Sequence, residues 1–524
     1  MKNSRRLFLK QAGLSSLGLA ALPILSRCRA NNNNNKNPFV FARATPESQG
    51  VDSQKLIDFV KAADSSGLEW HSFRILRHGN IIAEGFWEPF KSDYKHTLYS
   101  LSKSFTSTAI GFAVKEGLIS VEDQVISFFP NELPEVIDDK LKILKIKHLL
   151  TMNTGHDSGT MGLMRENEGN KTWVQSFLEQ PLKHEPGTHF FYNTGATYML
   201  GAIVHAKTSQ NLEEYLKPRF FDKLEISDYD WEQSPEGLNT AGYGLRVKNE
   251  DIAKLGQFYL QNGTWGNEEL LSAEWVEEAS SKHTESQEGD GDWSQGYGYQ
   301  FWRCKPAPGF YRGDGAYGQY CVIIPQYDMV IAVNSESFDM GKSMQIMWDH
   351  ILPAIKNDPL PENRESNKIL NALCSNLNID TPKGLKSSSL AIEINSREYK
   401  IDDNSFGIES LTFDIAHDQG EMKILTEEGE NILRFGMENW LTNEAFVKND
   451  FPIENRIHVP SLIAATATWL NENTLSITRK FVEAVHSDTL ICLFEGNKLK
   501  LSFNNSVAAN SNTEDPRETL FGIA

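Results

Sequence analysis

Apolar positions recur all round the segment that follows Ser100. Leu101, Phe105, Ala109, Ile110, Phe112 and Ala113 predict a central, buried helix. Between residues 46 and 90 the periodicity fits a helix followed by two strands, Phe73–Leu76 and Ile81–Glu84. The run Tyr320-Cys321-Val322-Ile323-Ile324-Pro325 reads as a buried strand. Beyond residue 365 the period shortens to two. Leu411/Phe413/Ile415 and Leu499/Leu501/Phe503 alternate as half-buried strands do, and Leu475, Ile477 and Phe481 add strand material. Gln419-Gly420, Glu428-Gly429 and Gly496-Asn497 mark turns between these runs. Residues 365–524 are therefore expected to form a small antiparallel β-domain, open or closed as a barrel. A polar stretch with two prolines, Asn357 to Asn363, separates it from residues 46–356. No internal repeat is visible.

The helix after Ser100 opens with candidate chemistry. Ser100-Leu101-Ser102-Lys103 places Ser100 and Lys103 three residues apart, on one helical face. A serine hydroxyl is a weak nucleophile and needs a basic group beside it to take its proton. The helix N-terminus adds positive potential near the hydroxyl. A lysine in the first turn of an otherwise buried helix either snorkels outward or works in a cleft.

The segment from Tyr99 to Gly111 resembles the nucleophile segment of the serine β-lactamase, penicillin-binding-protein and esterase superfamily. The resemblance is to its class C-like branch of DD-peptidases, esterases and aminohexanoate-oligomer hydrolases. Ile146 to Gly155 looks like that family's next helix and turn, and Pro186 to Thr194 like its second catalytic segment. The resemblance implies an α+β fold, a β-lactamase/DD-peptidase-like domain of antiparallel sheet and helices, here with the C-terminal β-domain appended. It implies acyl transfer to Ser100 and hydrolysis of the acyl-enzyme, with Lys103 and Tyr192 sharing proton handling and either able to be the base in acylation. Thr194 stands where the family's Tyr-x-Asn pattern has asparagine; Thr has one hydroxyl and a shorter reach. Gly313-Asp314-Gly315 stands where the family has a Lys-Thr-Gly-like triplet, so Thr194, Gly313, Asp314 and Gly315 are the expected substrate contacts. Gly315 and Gly318 would let backbone approach substrate closely. The backbone N–H groups of Ser100 and Ala316 would form the oxyanion hole. Gly313 lacks the usual cation of the triplet, which argues for an esterase or amidase over an efficient β-lactamase. The resemblance implies no cofactor and no metal. The rival reading is a non-catalytic acylatable sensor or cell-wall-binding module on the same fold.

Other motifs fall away on context. Gly313, Gly315 and Gly318 match a dinucleotide fingerprint, but a strand follows where a helix is required. His184, Glu185 and His189 have the wrong spacing for a zinc helix, and Pro186-Gly187 would break it. The acidic run at 288–292 has an incomplete calcium register. A net charge of -19 opposes nucleic-acid binding; the family resemblance implies a small-molecule or peptide-like substrate as the partner. Five cysteines are too few for a disulfide scaffold; Cys304 and Cys321 can lie on adjacent strands, paired or not.

Ser4-Arg5-Arg6-Leu7-Phe8-Leu9-Lys10, followed by an apolar stretch from Ala12 to Leu25, resembles a twin-arginine export signal. Residues 1–30 are read as that signal, with cleavage after Ala30; lipidation at Cys28 is the alternative. Residues 31–45, with the asparagine run, are read as a flexible linker. The expected destination is the periplasm or the exterior.

Overall fold

The structure is a computed structural model that describes residues 40–443, 451 and 462–524. The export signal, Cys28 and the asparagine run lie outside the described residues. Helix α1 (Ser53–Asp64) starts at Asp52, whose carboxylate accepts from the Gln54 N–H. The hairpin β1 (Glu69–Arg77) and β2 (Asn80–Phe86) follows, where the periodicity placed a strand pair. A short 3₁₀ turn at Tyr99–Leu101 leads into α2 (Ser102–Lys115), which is buried from Ser102 to Ala113. Helices α3 (Thr194–Thr208) and α4 (Asn249–Leu260) share its core.

Strands β3 (Tyr311–Gly315), β4 (Gln319–Ile324) and β5 (Met329–Glu336) form an antiparallel meander. Strand β5 returns to pair with β1, setting Ile331 opposite Ile75. The sheet order is β2-β1-β5-β4-β3, with Ala42–Arg43 beside β2 and Trp302–Arg303 beside β3. Both faces are covered. Tyr320, Val322 and Ile324 pack with α1 and with α5 (Met340–His350), while Cys321 and Ile323 pack toward α2 and α4. That double burial is why β4 reads as a continuous apolar run rather than an alternation.

Two expectations about where the domains begin need correction. Ala42 and Arg43, in the stretch read as flexible linker, pair with Asn80 and Ile81 at the sheet edge, because that edge leaves backbone groups to be satisfied. The segment from residue 365 opens as helix α6 (Arg364–Ser375), not strand. Leu370, Leu373 and Cys374 recur at helical spacing and, with Leu377 just past the helix end, join the core beneath α1. The unpaired thiols of Cys304 and Cys321 face different partners: the Arg312 guanidinium and the Ile252 carbonyl.

The barrel begins at β6 (Glu398–Ile401). It continues through β7 (Ile408–Ile415), β8 (Gln419–Thr426), β9 (Gly429–Met437), β10 (Ile463–Asn471), β11 (Thr474–Phe481), β12 (Ser487–Glu495), β13 (Lys498–Asn505) and β14 (Leu520–Ile523). The ring runs β9-β8-β7-β6-β14-β13-β12-β11-β10 and closes from β10 to β9. Every step but the closing one is antiparallel, and Gly436 and Met437 pair in parallel with Thr466 and Ala467. An odd ring of alternating strands must contain one such parallel pair. The turn between β7 and β8 is made by residues 416–418, so Gln419-Gly420 opens β8 instead of forming the turn. Tyr399, Phe413, Trp469 and Phe494 fill part of the interior.

The barrel sits against the sheet domain through a partly apolar seam. Phe90, Ala464 and Val482 form its core, and the Lys480 amine meets Glu69 at 2.6 Å. Phe90 also stacks on the buried His71 ring at 3.7 Å. Phe90→Ala is expected to lower stability by about 3 kcal/mol, the usual cost of deleting a buried phenyl group. Urea unfolding followed by tryptophan fluorescence measures this; an unchanged midpoint would mean that the seam contributes little.

Candidate active site

Three separate elements converge on Ser100. The 3₁₀ turn presents its half-exposed side chain, and α2 begins immediately after. Lys103, one turn on, is 1% exposed. Its amine donates to Ser100 Oγ at 3.0 Å, to Thr194 Oγ1 at 3.3 Å and to the Gly242 carbonyl at 2.7 Å. These three acceptors use all the donors of an ammonium group. Burial pushes the Lys103 pKa down to about 7, against a smaller upward pull from the Asp314 carboxylate.

Tyr192 comes from the segment before α3. Its hydroxyl hydrogen-bonds Ser100, and the Lys103 amine lies 4.9 Å from its ring centroid. Trp302 stacks on the ring at 5.4 Å, and Tyr297 meets it edge-on. Burial raises the phenol well above its ordinary pKa, so at neutral pH Tyr192 is a proton donor. Asn193 turns away: its side-chain oxygen caps α3 at the Gly195 N–H and accepts from the Thr160 hydroxyl. Thr194 opens α3 and supplies the hydroxyl that meets Lys103.

Strand β3 forms the opposite wall. A Cβ at Gly313 would stand 2.2 Å from Leu101 Cδ1 and 2.7 Å from Ser104 Oγ; one at Gly315 would stand 2.1 Å from the Leu98 carbonyl. Those two glycines therefore serve close approach to the Ser100 turn rather than to a substrate. Gly318 takes a φ of +86° in the turn to β4, and its own Cβ would meet Ser335 Oγ. Asp314 is 7% exposed, and its carboxylate accepts from Arg312 Nε at 2.8 Å. Arg312 is itself flanked by the rings of Trp293 and Trp302. Ala316 directly follows β3, beside the turn that carries Ser100.

A buried amine on a serine hydroxyl, a protonated phenol on the same hydroxyl and a strand end close by can together support attack on an acyl group. The beta-lactamase family model matches residues 65–356. The chain belongs to the beta-lactamase family. At that level it is a serine hydrolase. Over 279 residues it is 26% identical to the 6-aminohexanoate-dimer hydrolase of Paenarthrobacter ureafaciens, covering 50% of this chain and 71% of that one. The octameric penicillin-binding protein homologue from Pyrococcus abyssi aligns with a TM-score of 0.46 and 16% identity, over 90% of this chain and 99% of that one. A family VIII carboxylesterase aligns with a TM-score of 0.46 and 15% identity, over 60% of this chain and 99% of that one.

Several residues of this beta-lactamase-family site were not singled out from the sequence. The Gly242 carbonyl, the Trp302 and Tyr297 rings and Arg312 reach it by tertiary packing, with no local motif to mark them. A side chain at position 313 has no space among the present neighbours. Gly313→Val is expected to destabilise the protein by about 1–3 kcal/mol through overpacking and to reduce turnover by shifting Leu101. Thermal unfolding and an ester assay measure both effects; a fully stable, fully active variant would contradict the packing.

Proposed function

We propose that the protein hydrolyses small ester or amide substrates through an acyl-enzyme at Ser100. The observation that carries this reading is the buried Lys103 amine, 3.0 Å from Ser100 Oγ with its pKa lowered to about 7. Near neutral pH much of that amine is free base. It takes the Ser100 proton as Oγ bonds to the acyl carbon, and the carbonyl becomes an oxyanion facing the N–H groups of Ser100 and Ala316. The Tyr192 phenol protonates the departing oxygen or nitrogen as that bond breaks, and Lys103 returns its proton to the resulting phenolate. Water then attacks the acyl-enzyme by the same route in reverse, restoring Ser100.

Gly313 packs on Leu101 and Ser104 and offers no side chain to a substrate. The ground for expecting short-chain esters and amides over β-lactams is the family resemblance, in which this position of the triplet carries a cation that the present chain lacks. The 6-aminohexanoate-dimer hydrolase relative points to amides as one class to test. We also propose export through the Arg5-Arg6 signal, on the strength of that sequence alone.

Ser100→Ala is expected to lower kcat by about 10⁴–10⁶-fold while the protein stays folded. The decisive panel is nitrophenyl esters, a cephalosporin and a D-Ala-D-Ala peptide, with Ser100→Ala as control. A fluorophosphonate probe should label Ser100 by peptide mapping; labelling at Ser102 or any other serine instead would refute the assignment, and cephalosporin turnover far above ester turnover would refute the substrate class. The lowered Lys103 pKa sets the pH profile. kcat/KM should rise with pH through an acid limb near pH 7 as the amine loses its proton. A profile flat from pH 6 to about 8.5 would remove Lys103 as the base.

A further inference from the structure

The barrel reaches the Ser100 turn itself. The segment from Val482 to His486, between β11 and β12, lies along it: the Thr97 N–H donates to the Glu483 carbonyl at 3.2 Å. His486 goes furthest. Its Nε2 lies 2.7 Å from the Tyr99 hydroxyl, and its Nδ1 lies 2.6 Å from Glu336 Oε1 at the end of β5. The Ser506 hydroxyl donates to the same carboxylate oxygen. A carboxylate accepts, so Nδ1–H donates to Glu336, which leaves Nε2 to share the hydrogen bond with the Tyr99 hydroxyl. His486 is 1% exposed and Glu336 is 4% exposed.

A second contact comes from the other side. Tyr317 meets the His486 ring edge-on at 4.6 Å and lies 5.4 Å from the Tyr99 ring. His486 is therefore wedged between two tyrosines, and each sits next to one expected oxyanion donor. The peptide joining Tyr99 to Ser100 carries the Ser100 N–H. Tyr317 follows Ala316, whose N–H is the other. Both tyrosines hold left-handed backbone, with φ of +47° and +64°. That region is unfavourable for an aromatic residue, so surrounding contacts must hold each one there.

We propose that His486, contributed by the barrel and held by Glu336, is a positioning residue for the oxyanion hole. Its hydrogen bond to Tyr99 and its packing on Tyr317 keep the Ser100 and Ala316 N–H groups aimed at one point. This rests on the serine-hydrolase reading above. It also makes the barrel part of the catalytic apparatus, although every residue expected to touch substrate precedes it.

The test uses the full chain and a pair of substrates, an aryl ester and its thionoester. Sulfur accepts hydrogen bonds poorly, so the thionoester depends less on the oxyanion hole. With His486→Ala, ester kcat is expected to fall about 10–100-fold with KM within about twofold, somewhat less than deleting a donor outright. The ester-to-thionoester rate ratio should fall at least about fivefold. Tyr99→Phe, which removes one hydroxyl, should move the ratio the same way. His486→Gln, whose amide can reach Tyr99, should recover part of the loss. Equal losses on both substrates, or an ester kcat within about twofold of wild type, would overturn the proposal and leave His486 as an anchor for the barrel. If His486→Ala does not fold, Tyr99→Phe decides by the same ratio. Failure of the underlying reading looks different: the unmutated protein would then show no turnover that Ser100→Ala abolishes.

Discussion

A lysine amine buried against a serine hydroxyl is costly, and the site is organised around that cost. Removing a cation from water is penalised by on the order of several kcal/mol even after relaxation. Lys103 offsets part of this with three hydrogen bonds, to Ser100, Thr194 and the Gly242 carbonyl. The remainder appears as a pKa lowered to about 7 from 10.5. The unfolded chain holds this proton up to about pH 10.5 and the folded chain only to about 7, so the destabilisation is full below 7 and fades as pH rises toward 10.5. The same displacement leaves the amine able to take a proton at neutral pH, so one buried contact both weakens the fold and equips it for chemistry.

The rest of the domain keeps that amine dry and in place. Helix α2 is buried on nearly every face, which needs a sheet beside it and further helices around it. Strand β3 comes close enough for this only because Gly313 and Gly315 carry no side chains. Tyr192 completes the enclosure with its ring beside the amine and stacked on Trp302. The same low-polarity setting that lowers the amine's pKa raises the phenol's, so a proton acceptor and a proton donor stand side by side at one pH.

The barrel adds a layer of contact that ends beside this centre. Its seam with the sheet domain combines apolar packing at Phe90, Ala464 and Val482 with ion pairing between Lys480 and Glu69. Glu69 is held low, near pKa 2, by Lys480 and His71 against the opposing effect of burial. The neighbouring His71 and His96 rings share a 2.8 Å contact, and burial lowers the pKa of both. The Lys480–Glu69 pair, backed by the His71 and His96 rings, gives direction to a seam that apolar packing alone would leave less defined. That is what allows a side chain as distant in sequence as His486 to meet Tyr99.

Much of this was legible in the chain itself. The α2 segment, the β1–β2 pair, β4 and the alternating strands of the tail follow from apolar periodicity, because each element buries a face whose spacing it cannot hide. The family and the Ser100, Lys103 and Tyr192 candidates follow from short segments in which chemistry is local: positions three apart on a helix share a face wherever the helix goes. Helix α6 is also written in the spacing of Leu370, Leu373 and Cys374, but a pattern this short, flanked by polar residues, does not stand out beside the alternating strands that follow. Tertiary structure alone decided the rest. The barrel's closure depends on β9 meeting β10, the empty space at Gly313 on how near β3 comes to Leu101, and the Lys103 pKa on what excludes water from it. The placement of His486 beside Tyr99 depends on two domains docking across 387 residues of chain. Local pattern records which face of an element is buried, whereas distances between elements emerge only when all of those faces are buried together.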